Sequence, residues 1–213
     1  RNSGFMIDLP HELTSDDYAG TGDDRAMIAL NRHAIGFAHG AVEDYGIDRN
    51  FFDPAGKING AVSATAQAHN ESYARHLASL GETSEMLDPK QMHEITGSHH
   101  YQSGLYTPGT VMLQPAGYMR GVAAGLVAEG VEIYESSGVT EITRQGSGWQ
   151  VKTARGSLSA GAVILTVNGH LESFGVAKGR LMQLFLFAVM TPDLPPEALQ
   201  KLGGQARWGI TPS

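Results

Sequence analysis

The feature that most constrains the fold is an apolar run at residues 162–167, which reads Ala-Val-Ile-Leu-Thr-Val and stops at Asn168 and Gly169. A short continuous apolar run bounded by turn residues predicts a strand buried on both faces, as in a parallel sheet covered by helices. In open sheets of that kind, ligands lie beyond the carboxyl ends of the strands, where free N–H groups face phosphates. The run therefore predicts an α/β protein whose strand ends either at a nucleotide site or in an ordinary turn.

Composition narrows the classes of protein. The 213 residues are 41% hydrophobic and 17% charged, enough for the core of one large domain or two small ones. With a formal net charge of -7, the chain has no surplus of basic residues to neutralise the phosphates of a nucleic acid, so no nucleic-acid partner is expected. The absence of cysteine excludes disulfides without separating cytoplasm from periplasm. No apolar run approaches the roughly 20 residues that span a bilayer, and a cytoplasmic protein is expected.

The spacing of apolar residues predicts five helices. Gly81 is expected to end the second helix in the left-handed conformation. Asp88 and Gln91 stand three residues apart around Pro89, which is the pattern of a capped helix start. The predicted helices span residues 23–45, 64–80, 88–95, 115–130 and 197–202.

Alternating apolar residues and turn residues predict the strands. Residues 51–54 and 57–62 flank Ala55 and Gly56, which is the pattern of a two-residue β-hairpin. The other predicted extended segments are residues 101–108, a strand from 131 that continues into a meander with a turn at 146–148, the run at 162–167, and residues 181–191.

No self-sufficient catalytic set is visible in the sequence. The nine histidines never recur at His-x-x-x-His spacing, and His99 and His100 point in opposite directions if that segment is extended. There is no Gly-x-Ser-x-Gly motif and no cysteine nucleophile. We expect no metal site, and an enzyme with this sequence would rely on a cofactor for its chemistry.

Four segments, in this order, carry a resemblance to a known family. They are the opening Arg-Asn-Ser-Gly, the Leu-Gln-Pro at 113–115 with its helix and the Gly-Val-Glu-Ile-Tyr-Glu at 130–135, the run at 162–169, and the Arg-Leu-Met-Gln at 180–183. Together they resemble the D-amino-acid oxidase superfamily of FAD-dependent oxidoreductases, of the glycine and sarcosine oxidase type. More narrowly, they resemble the bacterial amine-oxidising branch that includes gamma-glutamylputrescine oxidoreductase.

The resemblance implies FAD as the cofactor and a small amine or amino acid as the substrate. Phe5 and Met6 are expected either against the flavin or as buried anchors of the loop. The residues that match FAD-contacting positions lie in the opening loop, the meander and the apolar run: Arg1, Asn2, Ser3, Gly4, Phe5, Met6, Val139, Thr166, Asn168 and Gly169. The substrate-side candidates, which otherwise pack in or beside the antiparallel sheet, are Tyr101, Tyr106 and Gln183.

The implied fold is mixed α/β (α+β), combining part of a Rossmann-like FAD-binding domain with a substrate domain that has a mixed or antiparallel sheet. Residues 1–50 are expected to supply the FAD-contacting loop and the long helix, 51–110 and 176–213 the substrate domain, and 111–175 the FAD-binding domain. The Gly-x-Gly-x-x-Gly turn of the family has no counterpart in this chain, and Asn168 departs from the usual Ala-Thr-Gly. The chain is therefore expected to be the central part of a longer flavoenzyme, unable to retain FAD alone.

The resemblance implies oxidation of a C–N bond to an imine by hydride transfer to the flavin. One alternative is a flavin dehydrogenase that passes electrons to a partner instead of dioxygen. The other is a non-catalytic α+β binding domain derived from the flavoenzyme fold. The identity of the substrate and the oligomeric state stay open.

Overall fold

The computed structural model describes residues 4–10, 23–182, 187 and 189–213. The chain divides into two compact units, one formed by Arg1–Val131 with Asp193–Ser213 and the other by Glu132–Pro192. The α-helices are α1 (Asp24–Asp44), α2 (Ala64–Leu80), α3 (Pro89–Thr96), α4 (Pro115–Ala128) and α5 (Pro196–Leu202). The strands are β1 (Phe5–Met6), β2 (Phe52–Asp53), β3 (Lys57–Ala61), β4 (Glu85–Leu87), β5 (Ser103–Thr107), β6 (Val111–Leu113), β7 (Val139–Gln145), β8 (Gly148–Thr153), β9 (Gly156–Ala160) and β10 (Ile210–Pro212). The predicted mixed α/β fold is confirmed.

The five predicted helices are present, and two side-chain caps and one glycine explain where three of them begin or end. The Asp23 carboxylate accepts the Ala26 N–H at the start of α1 (3.0 Å). Asp88 and Gln91 form the expected capping box at the start of α3, with hydrogen bonds of 2.8 and 2.9 Å. Gly81 ends α2 with φ of 83°.

The larger unit contains two sheets. One has the order β1-β6-β2 and is antiparallel throughout. The other has the order β10-β3-β5-β4, in which β10 runs parallel to β3 and the other pairs are antiparallel. Leu105 of β5 packs with Tyr73 and Leu77 of α2, whereas Ile58 of β3 packs with Met92 of α3. Since neighbouring residues of a strand point to opposite faces, helices cover both faces of this sheet.

The predicted hairpin over residues 51–62 is wrong, because its two strands belong to different sheets: β2 pairs with β6, and β3 pairs with β5. Gly56 has φ of 74° and donates its N–H to the Thr110 carbonyl at 2.9 Å. Pro54 has no N–H and cannot donate a backbone hydrogen bond to a neighbouring strand. The intervening turn therefore directs the chain from one sheet to the next.

The smaller unit contains the predicted meander, in which β8 lies between β7 and β9 and Val151 is buried. The predicted buried strand at 162–167 is wrong, because this run has no regular structure and Ile164 is 87% exposed. The strand predicted from residue 131 begins only at Val139. In the part of the chain that the structure describes, neither the run at 162–167 nor the segment between residue 131 and β7 has a neighbouring strand to complete its backbone hydrogen bonds.

The strand predicted over 181–191 falls partly on residues 183–186 and 188, which lie outside the described residues. Its described residues, 181–182, 187 and 189–191, form no strand. The short strands β4, β6 and β9 and the C-terminal β10 were not predicted. Of the helices described, none is both long and apolar enough to cross a membrane.

Candidate functional site

The opening loop reaches the larger unit at Gly4, and Arg1, Asn2 and Ser3 lie outside the described residues. Gly4 has φ of 84°, and its carbonyl accepts the Leu113 N–H at 2.6 Å. A Cβ atom at this position would lie 2.6 Å from the Leu113 carbonyl oxygen. Both the left-handed backbone and the close approach therefore require glycine here.

Replacing Gly4 with alanine is expected to lower the free energy of unfolding by about 1–3 kcal/mol, because the new Cβ meets the Leu113 carbonyl oxygen in a backbone conformation that alanine disfavours. Urea denaturation measures the change. Gly36→Ala in α1 is the matched control, since no atom lies within 4 Å of its added Cβ. The control should raise stability by about 0.5–1 kcal/mol through helix propensity, and an equal loss in both variants would contradict the account.

Phe5 and Met6 are half-buried in β1, opposite Met112 and Val111 of β6. A Cβ added to Gly209 would overlap both Met112 and Phe5, so these two side chains lie directly against that backbone. Met6 packs against a buried cluster formed by Ala38, Val42, Ile47, Phe52 and Val111. These contacts agree with one of the two alternatives expected for Phe5 and Met6, in which Met6 is a buried anchor of the loop.

The two substrate-side tyrosines both pack against the cluster of Ile58, Leu87 and Met92, and Gln183 lies outside the described residues. Tyr101 packs over Gly60 beside the cluster of Ile58, Leu87 and Met92. Tyr106 donates its hydroxyl to the Ala55 carbonyl at 3.1 Å.

Tyr106 also lines an open cavity of about 250 Å³, together with Glu85, Arg207 and Trp208. Arg207 is held by Asn50 at 2.8 Å and approaches Asp53 at 3.7 Å. The cavity thus combines aromatic walls with three charged residues, Glu85, Arg207 and Lys57, and Tyr101 is not among its lining residues.

The remaining candidates lie in the smaller unit. Val139 begins β7 opposite Thr153 and is 39% exposed, while Thr166 is exposed in the irregular run. Asn168 opens a 3-10 helix over Asn168–Phe174 with φ of 50°. Asparagine is one of the few residues other than glycine that adopt this left-handed conformation, so the departure from the family motif keeps the sharp turn before Gly169.

Two buried charged residues, Asp8 and Lys57, were not predicted from the sequence. Asp8 and Lys57 are each only 1% exposed. The Lys57 ammonium donates to the Asn59 Oδ1 atom. Burial lowers the pKa of Lys57 from 10.5 to about 8, and the nearby Asp8 carboxylate opposes this shift. No local signal marks Asp8 for burial, since an acid between Ile7 and Leu9 also fits an extended segment whose polar side faces water.

Arg32 of α1 joins the Asp8 carboxylate to Glu82. Its Nε and Nη2 atoms donate to Asp8 Oδ2 at 3.2 and 3.1 Å. Its Nη1 and Nη2 atoms donate to Glu82 Oε1 and Oε2 at 3.1 and 2.5 Å. The hydrogen bonds that Arg32 donates to Glu82 raise the pKa of Arg32 above its ordinary value, so the guanidinium stays charged.

Within the described ranges, no three His, Asp or Glu side chains converge as they would around a metal ion. His93 and His99 stack with ring centroids 3.8 Å apart, an arrangement that turns their faces and not their nitrogens toward each other.

A family model described as DAO, FAD dependent oxidoreductase, matches residues 1–211. The probable oxidoreductase OrdL of Haemophilus influenzae is 30% identical over 88 residues, which are 41% of this chain and 20% of OrdL. The tRNA 5-methylaminomethyl-2-thiouridine biosynthesis bifunctional protein MnmC of a Polaromonas species is 32% identical over 91 residues, 43% of this chain and 13% of that protein. The narrower resemblance to the gamma-glutamylputrescine branch is not confirmed by these matches.

Among solved structures, glycine oxidase from Geobacillus kaustophilus matches with a TM-score of 0.58 at 20% identity, covering 75% of this chain and 42% of that one. L-proline dehydrogenase from P. horikoshii matches with a TM-score of 0.59 at 15% identity, covering 81% and 45%. At these identities the likeness concerns the fold. The chain spans less than half the length of each of these proteins.

Proposed function

Because this chain belongs to the DAO family of FAD-dependent oxidoreductases, whose cofactor is FAD, we propose that it forms part of an enzyme that oxidises the C–N bond of a small amine or amino acid. The family match over residues 1–211 carries this proposal. Support for the substrate class comes from the names of the structural neighbours, which include glycine oxidase, the amino acid oxidase NikD and L-proline dehydrogenase.

Two described segments fit the proposed contacts with FAD. The backbone at Gly4 takes a conformation that glycine alone adopts freely, as expected of a loop that passes close to a ligand. The left-handed Asn168 before Gly169 gives a second sharp turn of the backbone. The full proposed FAD-contacting set is Arg1, Asn2, Ser3, Gly4, Phe5, Met6, Val139, Thr166, Asn168 and Gly169.

When bound, FAD supplies the chemistry by accepting a hydride from the carbon next to the nitrogen. The protein's part is to bind and orient the amine. Tyr101, Tyr106 and Gln183 are the proposed substrate-side residues, and Tyr106 has the support of lining a cavity that holds both a carboxylate and a guanidinium group. The assignment of 51–110 and 176–213 to a substrate domain, and of 1–50 and 111–175 to FAD binding, is part of the same proposal.

The test is the colour of the whole protein and its response to amines. Protein incubated with FAD and freed of excess cofactor should be yellow. Anaerobic addition of glycine, sarcosine, L-proline or a primary amine should bleach the flavin absorbance for at least one member of the panel. A sample that stays colourless after incubation with FAD would contradict the proposal and favour a non-catalytic binding domain.

A flavin dehydrogenase is the second candidate, and the similarity to L-proline dehydrogenase favours it. Release of peroxide during aerobic turnover of the bleaching amine would identify an oxidase. Turnover that needs an added electron acceptor, without peroxide, would identify a dehydrogenase.

A further inference from the structure

The segment that carries Gly4, Phe5 and Met6 also carries a buried acid. Asp8 lies two residues beyond β1, its side chain is 1% exposed, and Leu9 beside it belongs to the core cluster of Tyr73, Leu77 and Leu105. β1 has only two residues, and its pairing with β6 gives it few hydrogen bonds. The position of this segment therefore depends on its anchors beyond β1.

Several elements hold Asp8 in place. Arg32 of α1 donates two hydrogen bonds to Oδ2, and Asn31 donates its side-chain amide to the Asp8 carbonyl at 3.3 Å. The turn between β5 and β6 closes over the carboxylate, because a Cβ at Gly109 would overlap it. Glu82, in the turn after α2, holds the other edge of the Arg32 guanidinium. The carboxylate thus joins α1 and two turns to the opening loop.

Asp8 is buried, whereas the Arg32 side chain is 49% exposed, so the carboxylate carries most of the desolvation cost of this ion pair. A carboxylate moved out of reach of the guanidinium would stay buried with only the Lys57 ammonium nearby, so the pair constrains the position of Asp8. Asp8 Oδ1 has no hydrogen-bond partner within the described chain, so Arg32 is the main compensation of this charge by direct contact. The pair is therefore suited to fixing position.

Resting on the proposed function, we propose that Asp8, held by Arg32, is a positioning residue for the cofactor: the pair fixes the segment 4–9 so that Gly4, Phe5 and Met6 meet FAD in one geometry. Neither residue is proposed to touch the cofactor or the substrate. Their effect on FAD passes through the backbone of the opening segment, which is anchored at Leu113 on one side and at Asp8 on the other.

The test uses Asp8→Asn and Arg32→Gln in the whole protein, with FAD affinity measured by titration and the flavin absorbance spectrum and reduction potential recorded on bound protein. Both variants should weaken FAD binding by at least about tenfold and shift the spectrum and potential of the FAD that remains bound. Arg32→Lys, which keeps the charge but cannot hold both carboxylates with a planar fork, should recover part of the affinity lost in Arg32→Gln.

Glu43→Gln is the matched control, because it removes an exposed ion pair of α1 with Arg49 (2.7 Å) and should leave FAD affinity unchanged. Thermal unfolding of each apoprotein is measured in parallel. Lower stability with unchanged FAD affinity, spectrum and potential would show a merely structural role and overturn the inference. If Asp8→Asn does not fold, the two Arg32 variants test the inference through the same FAD affinity, spectrum and reduction potential. If the unsubstituted protein binds no FAD, the proposed function fails together with this inference, whereas equal FAD binding by the unsubstituted protein and the Asp8 and Arg32 variants overturns the inference alone.

Discussion

Replacing Lys57 with methionine is expected to stabilise the protein near neutral pH by about 3 kcal/mol, the free-energy equivalent of a pKa lowered from 10.5 to about 8. The ammonium is buried at the start of β3, and methionine keeps most of the side-chain volume without the charge. Asn59 Oδ1 retains the Thr211 hydroxyl as a partner at 2.9 Å, and Asp8 retains Arg32.

The pH dependence identifies the cause. Below about pH 8, Lys57 is protonated in both the folded and the unfolded protein, so the folded state carries the full cost of the buried charge. Between about 8 and 10.5 the folded protein has lost the proton and the unfolded chain has not, so the stability of the unsubstituted protein rises with pH. The advantage of Lys57→Met should therefore be largest near pH 7 and disappear as pH rises toward 10.5.

Urea denaturation at about pH 7 and about pH 10 measures this advantage. Lys90→Met is the control, because the Lys90 side chain is 85% exposed and its loss should change stability little at either pH. A Lys57→Met variant that is less stable than the unsubstituted protein at neutral pH would show that the contacts with Asn59 and Asp8 outweigh the desolvation of the ammonium.

Leu105→Ala is expected to lower the free energy of unfolding by about 3 kcal/mol, within the range of about 2–5 for buried leucines. Leu105 is fully buried and joins the opening segment, α1 and α2 through Leu9, Ile28 and Tyr73. Truncation removes apolar contacts from all three and leaves a cavity that rigid strands cannot close.

The measurement is the urea midpoint of the larger unit, followed by near-UV circular dichroism. Leu30→Ala provides the comparison, since Leu30 lies on α1 of the same unit but is 65% exposed. The exposed leucine should cost less than about 0.5 kcal/mol. Similar losses at the two positions would mean that this cluster does not form the core of the unit.

Helices were predictable from the sequence because their signals are local. The capping box of Asp88 and Gln91 and the left-handed Gly81 use hydrogen bonds within a few residues of one another. The hairpin of β7 and β8 was predictable for the same reason, since these two strands follow one another directly, whereas β9 was not predicted. In each case the sequence neighbour is also the structural partner.

Strand pairing at longer range was not predictable. The segment around Ala55 and Gly56 has the composition of a hairpin turn, yet β2 pairs with β6, about sixty residues further along the chain, and β3 with β5, about forty to fifty residues further. The run at 162–167 has the composition of a buried strand, but composition supplies only a tendency, and a strand forms where a neighbour completes its hydrogen bonds.

The family and its cofactor followed from the order of four motifs, and the match over residues 1–211 confirms the family. The buried charges did not follow, because the burial of Asp8 depends on Arg32, and that of Lys57 on strands packed around it. Nothing local distinguishes either residue from a solvated charge.

The parallel pairing of β10 with β3 has a consequence for the order of assembly. Ile210 pairs with Ile58, and the whole of Glu132–Pro192 is synthesised between them. A nascent chain can pair the adjacent strands of its meander as soon as they emerge, whereas the outer edge of β3 stays open until β10 has been synthesised. An open strand edge is a template for pairing with another chain. During synthesis, β3 is therefore open to pairing with other chains for as long as the whole smaller unit takes to emerge.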